Sequence, residues 1–147
     1  MRRIFCLFLG VAIVSGAGTM LAENHETVKP AKISKSDTGG EIFKRKNMRE
    51  KTHDSGYKTL NVTTLVSSDK KFSSGMYKSE KMREEYKDAY GVDEFMFFLE
   101  GGVTLTSSDG TVQVINAGEG VTIPKEWTGV WDTDGYSKIW VIYSEDD

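Results

Sequence analysis

The chain has 147 residues, enough for one domain with additions, and its charged residues (28%) sum to a net charge of −3. That balance carries no strong polyanion-binding signature, and no basic–aromatic stripe points to nucleic acid. Glycine is frequent, at 15 residues, and proline rare, at 2, which suits short strands joined by tight turns.

At the start, Arg2 and Arg3 precede an apolar run over residues 4–14, followed by Ser15, Gly16, Ala17 and Gly18. The run is too short to span a bilayer, so the pattern predicts a signal peptide over residues 1–22. Cleavage after Ala17 puts small residues, Ser15 and Ala17, at both critical positions. Cleavage after Ala22 is the alternative, with Met20 bulky for its slot, and an uncleaved anchor is the competing reading. Cys6, the single cysteine, lies inside this segment in a context unlike a lipoprotein signal. The mature chain therefore has no disulfide and no thiol chemistry. A two-arginine signal is most simply bacterial, which predicts export across the inner membrane to the periplasm, without stable membrane insertion after cleavage. A eukaryotic secreted origin stays open.

Residues 23–56 read as a polar, flexible arm. Their few large apolar residues, mainly Val28, Ile33, Ile42, Phe43 and Met48, follow no clean period and bury too little to offset the entropy of ordering. Lys44, Arg45, Lys46, Arg49 and Lys51 cluster there. A solvated linker is favoured over an anchor to an anionic surface.

From Tyr57 onward, short alternating runs predict an all-β domain over residues 57–147. Residues 60–66 and 72–78 read as strands, then 94–99 and 103–106 around Glu100-Gly101-Gly102. Ser107-Ser108-Asp109-Gly110 is a hairpin turn, with Asp-Gly supplying the positive φ angles. Residues 111–115 return, Asn116 to Gly120 turn, and residues 121–123 and 127–131 follow. Asp132-Thr133-Asp134-Gly135 reads as a further turn before a last strand over 137–143. Turns at such short intervals argue for a sandwich or barrel. Residues 79–90 conflict: Met82, Tyr86 and Ala89 fall at helical spacing, while Tyr86, Asp88 and Tyr90 would share one face of a strand.

Residues 95–99 and 139–143 are apolar on both strand faces. A strand with one face in water would alternate. Either the N-terminal arm or a second subunit must cover the other face, and a homodimer with the final strands near the contact is the favoured partner.

Glu94-Phe-Met-Phe-Phe-Leu-Glu-Gly101 resembles the latter half of the first cupin motif, a Glu and a Gly with six residues between. Gly118-Glu-Gly-Val-Thr-Ile-Pro124 resembles the start of the second, Gly and Pro with five between. Asp93-Glu94-Phe95, Leu99-Glu100-Gly101 and the stretch from Pro124 to Trp131 resemble the subfamily named after ureidoglycine aminohydrolase. The resemblance covers residues 72–143 and implies a small, single-domain, RmlC-like cupin jelly-roll barrel, preceded by the signal peptide and the arm. It also implies a strand over residues 83–90, ending on Tyr90.

Metal-binding cupins place two histidines shortly before the Glu and a third five residues after the Pro. Here the pair falls on Asp88 and Tyr90, or on Lys87 and Ala89, and the third on Gly129. The chain's two histidines, His25 and His53, lie in the arm. Several converging N, S or carboxylate ligands are needed for a tight site, so no metal cofactor is expected. The alternative is Mn or Fe on Glu94, with Asp88 and Tyr90.

The resemblance points Tyr86, Asp88, Tyr90, Glu94, Met96, Trp127 and Trp131 into the barrel. Trp127, Gly129 and Trp131 then share one strand face. An aromatic-walled cavity with one or two carboxylates suits a small polar or cationic ligand, and Glu94 is the candidate general acid or base. The bland readings are that both tryptophans are core and that Glu94 is tied to a backbone amide or to Lys125. Three functions follow: a metal-free binding module for a small polar molecule, a hydrolase or isomerase using Glu94 as base or residual metal ligand, or a structural or interaction subunit.

Overall fold

The computed structural model describes residues 27–145; the predicted signal peptide lies outside them. Helix α1 (Lys35–Thr38) and a 3₁₀ turn (Glu41–Lys44) lead into seven strands: β1 (Arg49–Thr52), β2 (Lys58–Val66), β3 (Phe72–Tyr86), β4 (Asp93–Ser107), β5 (Val112–Asn116), β6 (Gly120–Ile123) and β7 (Gly129–Tyr143). All pair antiparallel in the order β1-β2-β3-β7-β4-β5, with β6 also on β4. No helix among the described residues is long and apolar enough to cross a membrane.

Three strands are longer than the alternation suggests. The segment with helical spacing is β3, which runs on to Tyr86 because β7 pairs with it along its length, from Phe72↔Tyr143 to Tyr86↔Gly129. The ladder outweighs local helix propensity. It ends at Tyr86, so residues 87–90, expected to finish that strand, form a loop. Asp132 to Gly135 is likewise no turn. It lies within β7, where Thr133 pairs with Met82 and Gly135 with Glu80. Glycine here serves close strand approach: a Cβ on Gly101, whose φ is +65°, would sit 2.0 Å from the Gly135 carbonyl oxygen. The β4–β7 register shifts at that point, as a bulge requires.

Paired residues share a face, which defines the two sides of the sheet. On the inner face, Met96, Phe98, Val103, Leu105, Ile115, Ile123, Trp131 and Tyr136 form the larger buried cluster. On the outer face, Val62, Met76, Ile139 and Phe97 lie in one cross-strand row. Ile42 from the 3₁₀ turn is fully buried there with Val62 and Met76, flanked by Ile33, Phe43, Met48, Leu99 and Ile139.

The second half of the expected solvated arm is therefore packed. Its scattered apolar residues meet on a turn rather than along a periodic element, and β1 extends the sheet beyond the expected start at Tyr57. Within it, Ser34 caps α1 in a reciprocal box with Asp37, and Arg45 pairs with Asp37 at 2.8 Å. The arm covers only part of the outer face. Phe72, Phe95, Phe97 and Tyr143 remain exposed beyond it.

Candidate functional site

Period-two alternation on β4 sends Glu94, Met96 and Phe98 to the inner face and Phe95 and Phe97 outward. On β7 the same alternation brings Tyr136, Lys138, Trp140 and Ile142 inward, and Lys138 pairs across to Phe98. Glu94 and Lys138 are each 4% exposed. Lys138 Nζ donates to Glu94 Oε1 at 2.7 Å and lies 2.8 Å from Met96 Sδ. Tyr90 OH donates to Glu94 Oε2 at 2.5 Å. The ammonium also faces the rings of Trp131, Tyr77 and Tyr136, with centroids at 5.2, 5.5 and 5.8 Å, within cation–π range.

Above this pair lies a cavity of about 350 Å³, walled by Tyr77, Met82, Tyr86, Tyr90, Trp131, Tyr136 and Trp140. Its rim includes the turn between β1 and β2. There His53 stacks on Tyr57 at 4.1 Å, His53 Nε2 and Thr59 Oγ1 are 3.0 Å apart, and Tyr57 OH donates to Glu84 Oε2 on β3 at 3.2 Å. Burial, with the nearby Glu84 carboxylate adding to it, pushes the Tyr57 hydroxyl up to about 12. Burial likewise holds the Tyr86, Tyr90 and Tyr136 hydroxyls above their ordinary range. The walls therefore present neutral hydroxyls at neutral pH. Burial pulls the Lys138 ammonium down from its ordinary value, and Glu94 opposes part of that shift.

Of the residues expected in the barrel, Tyr86, Tyr90, Glu94 and Trp131 line this cavity. Met96 sits in the core, fully buried beneath Lys138. Trp127 precedes β7 in a loop, so it does not share a strand face with Trp131. It packs against Tyr86 and Tyr90 at 5.8 and 6.3 Å and donates to Ser107 Oγ at 3.1 Å. Asp88 is exposed in the loop after β3, because alternation stops where the strand does. Lys125, the expected partner of Glu94, instead pairs with Glu145 at 3.7 Å.

Lys138, Tyr77, Tyr136, His53 and Tyr57 were not foreseen as site residues. For Lys138, Tyr136 and Trp140 a signal was available, since a lysine at period two between aromatics in an apolar strand needs a buried counter-charge. His53 and Tyr57 were hidden in the polar arm and at its border.

The donor set fits a divalent metal poorly. Both Glu94 oxygens are engaged by Lys138 and Tyr90, and among the described residues no group of three His, Cys, Asp or Glu side chains could hold a metal ion. At the third motif position, a Cβ on Gly129 would lie 2.2 Å from the Thr106 carbonyl oxygen and 2.8 Å from the Trp127 ring. Any side chain there would collide with backbone.

The family profile described as the EutQ-like cupin domain matches residues 66–138. No curated protein matches the chain. Among solved structures, a Pseudomonas syringae protein of unknown function superposes with a TM-score of 0.59 at 14% identity, covering 65% of this chain. This chain spans only 43% of that one. Clostridium difficile EutQ gives 0.54 at 18% identity, with 69% of this chain and 79% of that chain covered. Ectoine synthase from P. lautus gives 0.55 at 14%, covering 70% and 72%. At these identities the likeness shows the fold alone. Matching profile, antiparallel jelly-roll sheet and inward Glu94 agree: the chain carries a cupin domain and belongs to the cupin superfamily.

Proposed function

We propose that this chain is an exported, metal-free cupin that binds a small polar molecule in the cavity above Glu94 and Lys138. One observation carries the reading. An internal ammonium, held by a carboxylate and three aromatic rings, already fills the place that a bound cation would take. A cationic guest would have to displace it, so the ligand is neutral or anionic. The remaining walls supply tyrosine hydroxyls and ring faces, the usual furniture of a small-molecule site. Export to the bacterial periplasm rests on Arg2, Arg3 and the short apolar run after them. The exposed outer-face aromatics support a homodimer.

The test is a thermal-shift screen of small neutral and anionic polar compounds on the mature protein. A true ligand at a hundredfold excess over its Kd adds about 2.7 kcal/mol, enough to raise Tm by several degrees. If no compound moves Tm, and cationic ones do no better, the binding reading fails in favour of a structural or interaction subunit.

A second reading, an enzyme of hydrolase or isomerase type, draws on the resemblance to the ureidoglycine aminohydrolase subfamily. It is favoured by one feature, a buried carboxylate and amine 2.7 Å apart at the floor of the cavity, where a proton can pass between them. Chemical change of a bound compound, followed by NMR and abolished in Glu94→Gln, would promote this reading. Recovery of the compound unchanged after long incubation would remove it.

A further inference from the structure

The chain has three tryptophans, and their indole N–H groups differ in one respect. Trp127 Nε1 donates to Ser107 Oγ, and Trp140 Nε1 donates to Asn61 Oδ1 at 3.2 Å. Trp131 Nε1 is buried and has no partner, alone among the buried side-chain nitrogens and oxygens of the described residues. Folded proteins rarely leave such a donor unpaired, because it gives up its water without return. The ring is not free to turn outward. It stacks on Tyr90 at 6.5 Å and 9°, tilts against Tyr136 at 5.9 Å and lies beneath the Lys138 ammonium.

Trp131 is only 2% exposed, yet it lines the cavity, so the missing acceptor has a route of entry. Lys138, whose Nζ lies 5.2 Å from the centre of the same ring, offers the cavity a second donor. An ammonium has three N–H groups, and Glu94 Oε1 and Met96 Sδ take two of them. Charge narrows the acceptor further. Glu94 already neutralises Lys138, so a ligand carboxylate entering here would meet a carboxylate with no spare positive charge to offset it. A ligand ammonium brings no acceptor at all.

We infer that the bound molecule carries a neutral carbonyl oxygen, as in an amide, which accepts from Trp131 Nε1 and from the remaining N–H of Lys138. This rests on the proposed binding function and names its ligand class.

The experiment uses the mature chain, ¹⁵N-labelled, with propanamide as probe and propanoate and propylammonium as controls of similar size. The three indole N–H signals are assigned with Trp→Phe variants. Propanamide is expected to move the Trp131 signal downfield while leaving those of Trp127 and Trp140 in place. Trp131→Phe keeps an aromatic ring there, removes the donor and should weaken propanamide binding about fivefold. If propanamide shifts the cavity tyrosines but not Trp131, a resident water already satisfies the indole and the inference is overturned. It is also overturned if propanoate or propylammonium moves Trp131 and propanamide does not, although the cavity would then still be a binding site. If no probe moves any cavity signal, the inference falls together with the binding function.

Discussion

Lys138→Met will lower the unfolding free energy by about 3–5 kcal/mol in urea titrations, the typical cost of stranding one member of a buried ion pair. Glu94 sits 4% exposed, and the variant would leave its Oε1 with no cation. Methionine fills much of the lysine's volume, so the loss reports charge rather than a cavity. The double variant Glu94→Gln/Lys138→Met should recover at least half of the loss. Glutamine keeps an acceptor for Tyr90 OH, and no buried charge remains. A single-variant loss below about 1 kcal/mol, the scale of an exposed pair, would show that the two groups are not paired in the dry interior.

The same pair leaves a mark on the pH profile. Burial lowers the folded pKa of Lys138 from its ordinary 10.5. Between those two values the unfolded chain holds more protons than the folded one, so this group makes stability rise with pH up to about 10.5. Tyr90 and Tyr136 have folded values raised above their ordinary 10.0. Their contribution is complete below about 10 and is lost as pH rises beyond it, when only the unfolded hydroxyls ionise. Lys138→Met removes the alkaline rise and keeps the steep fall above pH 10.

The second large effect concerns assembly. In solution the mature protein is expected to scatter light as a dimer at micromolar concentration, and Phe95→Glu/Phe97→Glu is expected to convert it to a folded monomer. Phe95 and Phe97 are 45% and 37% exposed on the outer face, beside Phe72 and Tyr143 at 40% and 44%. Val141 joins them, paired between Phe95 and Ser74. A continuous aromatic face on the central strands is more than single stray residues, and a self-complementary sheet face suits two-fold packing. Because these side chains point away from the inner core, two glutamates there should leave the cavity intact. A wild-type mass equal to one chain would remove the dimer and leave this face without an occupant.

The sequence was most legible where chemistry recurs at fixed spacing. The turns at Ser107 to Gly110 and Asn116 to Gly120 can be read from local pattern, although only Gly110 and not Asp109 takes the expected positive φ; the inward Glu94 came from the cupin resemblance. It was least legible where distant pairing decides. Tyr86 belongs to a strand because Gly129 lies beside it, and no local window around residues 79–90 contains that fact. Asp132 to Gly135 has turn composition, yet β3 and β4 flank it on either side. Ile42 is polar-arm residue and core residue at once, since its burial comes from Val62 and Met76 on other strands. The site shows the same division. Glu94 came from its motif, whereas Lys138 sits 44 residues away and becomes its partner only through the β4–β7 ladder.

The most direct test of the whole account is elemental mass spectrometry of the mature protein, purified without chelator and without a histidine tag. With Lys138 seated on Glu94 and Gly129 closed against Thr106, Mn, Fe, Zn and Ni should be present only at trace level. Near-stoichiometric metal, lost in Glu94→Gln, would contradict the account, because Glu94 would then be holding a metal ion instead of Lys138.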